Sequence, residues 1–137
     1  MHLTESQISF FHENGYLRLE HVLDESDLRP VIDEYSTIID ERAQKLYSEG
    51  KVSSLYADEP FTRRLAGLAA EAPEVSGGLD IMQARGVATF NFLKNPKILD
   101  LAESLVGSEV VCNPIQHIRS VLSHRDTNRG PTPWHQH

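Results

Sequence analysis

The sequence predicts an α+β fold, on two observations: apolar residues follow helical spacing up to about residue 108, and strand-like alternation takes over from about residue 109 to residue 137. At 137 residues the chain has the length of one domain, read here as 1–137 with a mainly helical part (1–108) and the first strands of a sheet (109–137). Two or three terminal strands make a marginal sheet with unpaired edges. The expectation is therefore the front part of a larger β-containing domain.

The first helix is expected over roughly residues 5–14. Thr4 with Gln7 forms a capping box, Ile8 and Phe11 share a face, and Gly15 supplies the left-handed stop. Tyr16-Leu17-Arg18-Leu19-Glu20 alternates as a half-buried strand does. The second helix carries the clearest periodicity, in Leu28, Val31, Ile32, Tyr35, Ile38, Ile39 and Leu46. Its cap is placed at Asp27 or Ser26, which keeps Pro30 in the first turn, and Gly50 ends it. Asp33, Glu34, Asp40 and Glu41 read as its solvated face.

Asp58-Glu59-Pro60 opens a third helix with Phe61, Leu65 and Leu68 inward. Pro73 and Gly77-Gly78 break the chain, and Ala88-Thr89-Phe90-Asn91-Phe92 reads as strand or loop. Asn95-Pro96 is a cap followed by a first-position proline, Ile98, Leu99, Leu101, Ala102, Leu105 and Val106 are expected to make its buried face, and Gly107 closes the helix. Beyond it, Val110-Val111-Cys112 is β-rich, with Cys112 expected as a small buried strand residue. Along 115–122, Ile115, His117, Arg119 and Val121 share one face and Gln116, Ile118, Ser120 and Leu122 the other. Residues 123–133 read as a polar loop, and Trp134 to His137 begin another strand, with Trp134 an apolar anchor.

The net charge of −7 weighs against nucleic acid, which needs clustered Lys and Arg. No apolar run is long enough for a transmembrane helix, and the first residues show no signal peptide. The single cysteine excludes an internal disulfide and fits a reducing, cytoplasmic setting. Charge is uneven: residues 1–111 hold 10 basic and 19 acidic side chains, whereas 112–137 hold Arg119, Arg125 and Arg129 against Asp126 alone. A basic tail with four of the seven histidines (His117, His124, His135, His137) points to an anionic ligand and a metal. On an extended segment His135 and His137 project from one face, which makes half of a metal site. A zinc module built from those four histidines is disfavoured, because structural zinc sites generally include closely spaced cysteines.

Three segments together resemble the N-terminal part of the phytanoyl-CoA dioxygenase family of iron(II)/2-oxoglutarate-dependent oxygenases. They are Phe10-Phe11-His12-Glu13-Asn14-Gly15-Tyr16-Leu17, the run from Asn95 to Gly107, and Pro133-Trp134-His135-Gln136. The resemblance implies helices packed against the first strands of a double-stranded β-helix (jelly roll), with the barrel incomplete in this chain. It implies hydroxylation of a small-molecule substrate, with Fe(II) and 2-oxoglutarate as cofactors. His135 matches the first iron ligand. His137 stands where that family has a carboxylate, so either imidazole replaces an anionic donor or the site is inactive. Arg119, and more weakly Gln116, are the implied 2-oxoglutarate or substrate contacts, since a guanidinium grips a carboxylate bidentately. His117, on the face of Arg119, borders the same pocket. The distal histidine and the basic residue of the family's pattern have no counterpart in the sequence, so the chain alone is expected to be inactive. The alternative is a non-catalytic chain serving as a folding or interaction module.

Overall fold

The computed structural model describes residues 2–79, 83–84 and 86–113, and every regular element among them is helical. Helix α1 is Glu5–Asn14, α2 is Glu25–Ser48, α3 is Phe61–Glu71, α4 is Val87–Leu93 and α5 is Pro96–Val106, with a single 3₁₀ turn at Pro73–Ser76. The chain divides into two compact units. Among the described residues the first holds 2–34 and 86–113, and the second holds 35–79 with 83 and 84.

The first unit contains α1, the start of α2, α4 and α5. Thr4 caps α1 in the expected box: Gln7 N–H donates to the Thr4 hydroxyl, and the Gln7 side chain accepts from Thr4 N–H at 2.9 Å. Gly15, at φ 75°, closes it with a 2.8 Å bond to Phe11 O. Helix α2 begins earlier than its sequence pattern indicates. Asp24 is the cap, accepting from Ser26 N–H at 2.9 Å, and the Asp27 carboxylate accepts in return from Asp24 N–H at 2.9 Å. This is a capping box with aspartate at the third position, and it puts Pro30 inside the helix. Helix α5 starts and stops as its sequence indicates, but the face expected to be buried is only half-buried, with Val106 exposed. The Asn95 side chain accepts from Lys97 N–H at 2.8 Å, Pro96 is first, and Gly107 (φ 91°) ends it. Leu3 N–H donates to Ser104 Oγ at 3.1 Å, which ties the residue ahead of α1 to α5.

The second unit holds the buried apolar core. Tyr35, Ile39, Ala43 and Leu46 bury one stripe of α2, Leu65, Leu68 and Ala69 the facing stripe of α3, and Val52, Ala72, Val75 and Leu79 complete it. Leu68 is fully enclosed. Helix α2 ends in a Schellman motif: Lys51 N–H bonds Leu46 O at 2.9 Å and Gly50 N–H bonds Tyr47 O at 3.0 Å, with Gly50 at φ 68°. The Arg42 guanidinium then ties down the chain after α3, donating to Val75 O at 2.8 Å, to Gly77 O and to Gly78 O at 3.0 Å.

The α+β expectation is overturned here: among the described residues there is no strand, and no helix packs against the start of a jelly roll. The expected strand at 16–20 is irregular chain with Tyr16 exposed, and among the described residues no strand lies beside it to take its backbone hydrogen bonds. Residues 88–92 fall in α4, whose start is capped by a carboxylate distant in sequence. Val110 to Cys112 is also irregular, with Val111 and Cys112 exposed rather than buried. The strands expected at 115–122 and 134–137 lie outside the described residues. On α3 only Leu65 and Leu68 of the expected inward residues are buried, and Phe61 is part exposed.

Candidate functional site

The residues that the sequence singles out for chemistry, Gln116, His117, Arg119, His135 and His137, all lie outside the described residues, as do His124 and Trp134. Among the described residues no group of three or more His, Cys, Asp or Glu side chains is arranged to hold a metal ion.

The helical body supplies several polar nodes that sequence reasoning missed. Glu34, taken as part of a solvated face, is half-buried. Its carboxylate accepts from Ala88 N–H at 2.8 Å, Thr89 N–H at 3.0 Å and the Thr89 hydroxyl at 2.7 Å. Thr89 is the buried polar residue of the described chain, and Gly86 leaves the space that the carboxylate fills, since a β-carbon there would overlap Glu34. Desolvation opposes the Glu34 charge, but the Thr89 hydroxyl and the two backbone N–H groups outweigh it and hold the carboxyl below its ordinary value. The arrangement is an anionic cap on a helix start, supplied from another helix.

A second node joins the starts of α2 and α5. Lys97 Nζ lies 2.7 Å from Asp24 and 2.5 Å from Asp27, and Asn95 Nδ2 donates to Asp27 at 2.8 Å. Hydrogen bonds to Asp24 and then Asp27 raise the Lys97 pKa, and the Lys97 ammonium lowers both aspartates. Asp40, also read as solvated, pairs with Arg64 at 2.6 Å, and Arg64 Nε donates to Leu55 O at 3.2 Å. These nodes hold elements together, and none sets a nucleophile beside a base.

The third feature is a groove in the second unit. The loop after α2 walls an open space of about 510 Å³ with Tyr47, Ser54, Leu55, Tyr56, Asp58 and Glu59 among its lining residues. Tyr56 has a left-handed backbone, at φ 49°. It is locked there by two contacts. Its hydroxyl donates to Glu71 Oε1 at 2.5 Å, and its ring lies where a side chain on Gly67 would stand, 2.7 Å from an ideal β-carbon. Glu71 also accepts from Ser53 N–H at 2.8 Å and the Ser53 hydroxyl at 3.0 Å. The hydrogen bond to Glu71 raises the Tyr56 pKa, and the same bond, with those from Ser53, lowers that of Glu71. No sequence motif announces this groove. The hints are Tyr56 two residues before Asp58-Glu59 and a glycine inside α3.

No family model matches the chain, and no curated protein or solved structure does. Among the described residues no helix is long and apolar enough to cross a membrane.

Proposed function

We propose that this chain is the helical N-terminal portion of an iron(II)/2-oxoglutarate-dependent oxygenase that hydroxylates a small molecule. His135 and His137 are the iron-binding residues in this reading, and Arg119, with Gln116, is the contact to 2-oxoglutarate or substrate. The observation that carries it is Pro133-Trp134-His135-Gln136 in a sequence that also has the family's two helical segments. Support comes from those segments, 10–17 and 95–107. They contain the end of α1 with its glycine stop and the whole of α5 with both its caps, and they lie in one compact unit. Bound iron would supply oxygen activation, with open coordination positions for the co-substrate. A reducing cytoplasm suits this reading, since iron(II) and the Cys112 thiol both persist there.

Anaerobic equilibrium dialysis with Fe(II) tests it. The chain is expected to take up iron(II), and His135→Ala and His137→Ala each to weaken uptake by more than the roughly tenfold that loss of a ligand's outer-shell partner costs. Adding 2-oxoglutarate to the iron-loaded chain is expected to give a visible charge-transfer absorption that Arg119→Ala weakens. No uptake by the unaltered chain, or equal uptake by the histidine variants, would leave the non-catalytic module as the reading.

A further inference from the structure

We propose that the groove between the end of α2 and the 53–59 loop binds a small alkylammonium ion, the positive nitrogen resting against tyrosine rings with the Asp58 and Glu59 carboxylates as counter-charge. This site draws on none of the residues assigned to iron or 2-oxoglutarate, so it stands or falls separately from the oxygenase reading.

The groove's lining favours one class of ligand. Tyr47 and Tyr56 contribute two aromatic rings, Asp58 and Glu59 two carboxylates, and among the described residues no Lys, Arg or His lines the space. Tyr47 is 53% exposed at the end of a helix whose other stripe is buried, so its ring is left accessible rather than packed. Among the described residues neither Asp58 nor Glu59 forms a salt bridge. The face of an aromatic ring carries negative quadrupole charge and attracts cations, and nearby carboxylates add to that attraction while repelling anions. A quaternary or methylated ammonium suits such a wall better than a metal ion, because its methyl groups use the apolar ring surface that a hydrated metal ion does not.

The wall is also built rather than incidental. Tyr56 keeps a left-handed backbone that a bulky L-residue adopts only when its surroundings impose it, and here Glu71 and the bare Gly67 backbone do so. The space is open to solvent and holds about 510 Å³, room enough for a small alkylammonium ion.

The test is a titration of the full chain with choline, followed by amide chemical shifts of residues 53–59, alongside the neutral tert-butyl analogue of choline. Saturable shifts are expected with choline, and binding of the neutral analogue is expected to be weaker by roughly fivefold or more. Tyr47→Leu, which keeps an apolar side chain at an exposed position, is expected to weaken choline by a similar factor, as is Asp58→Asn combined with Glu59→Gln. Circular dichroism establishes that each variant is folded. Absence of saturation, equal binding of the two ligands, or folded variants that bind choline as the unaltered chain does would each overturn the proposal.

Discussion

Replacing Glu34 by alanine should unlatch α4. Three bonds end on that carboxylate, from Ala88 N–H, Thr89 N–H and the Thr89 hydroxyl. Losing the cap of a helix costs about 0.5–2 kcal/mol. Thr89 is only 3% exposed, so its hydroxyl would be left buried without this acceptor, at about 1–3 kcal/mol. Water entering beside half-buried Glu34 returns part of this, which puts the expected loss at about 2–3 kcal/mol. With a urea slope of about 1–3 kcal/mol per molar, the unfolding midpoint should fall by about 0.7–3 M. The assay is urea unfolding by far-ultraviolet circular dichroism, with amide hydrogen exchange read at Ala88 and Thr89. Exchange at both should quicken more than in α3. Thr89→Val removes the buried hydroxyl, so the double variant should be more stable than the two single losses predict, by about 1 kcal/mol. A loss under about 0.5 kcal/mol in Glu34→Ala, with unchanged protection at Thr89, would refute the claim that this carboxylate holds the helix.

Other perturbations probe the remaining elements. Leu68→Ala, at the fully enclosed centre of the second unit's core, should cost about 2–5 kcal/mol in the same unfolding assay. Gly67→Ala drives a β-carbon into the Tyr56 ring and should cost about 1–3 kcal/mol, with the Tyr56 amide shift moving most. Asn95→Ala removes the α5 cap and should lower stability by about 1 kcal/mol, seen as faster exchange at Lys97 and Ile98. The pH dependence follows from Glu34 and Glu71, both held below their ordinary values when folded. Their stabilisation is present in full above the unfolded carboxyl value, about 4.3, and is lost as pH falls through the lower folded values. The melting temperature should therefore fall below about pH 4.3, and less steeply in Glu34→Gln.

What could be seen in the sequence depended on how far apart the cooperating residues lie. Helices α1 and α5 carry their own starts and stops, Thr4 with Gln7 and Gly15, and Asn95-Pro96 with Gly107, so both were legible. The buried stripe of α2 was legible from spacing, but its start was misplaced, because an Asp24–Asp27 box is a quieter signal than one with glutamate or glutamine. Helix α4 was not legible. Its threonine and phenylalanines favour strands, and its cap, Glu34, comes from 54 positions earlier. The expected strands drew on alternation alone, which cannot show whether a partner strand exists. The groove stayed hidden for a similar reason: its shape depends on Tyr56 meeting Glu71 and Gly67, a conjunction of distant residues with no periodicity.

The buried core and the first unit differ in how they are threaded. Among the described residues the core is drawn from one stretch, 35–79, whereas the first unit is assembled from 2–34 and 86–113. Closing the first unit therefore means bringing together chain ends about fifty residues apart, while the core of Leu46, Leu65 and Leu68 joins near neighbours in sequence. On a ribosome, where the chain appears from its N-terminus, that core is complete while α4 and α5 have yet to be made, and α1 must wait for the bond from Leu3 N–H to Ser104 on α5. The order of synthesis thus lets the core of residues 35–79 form early and leaves the joining of α1 to α5 as a later step.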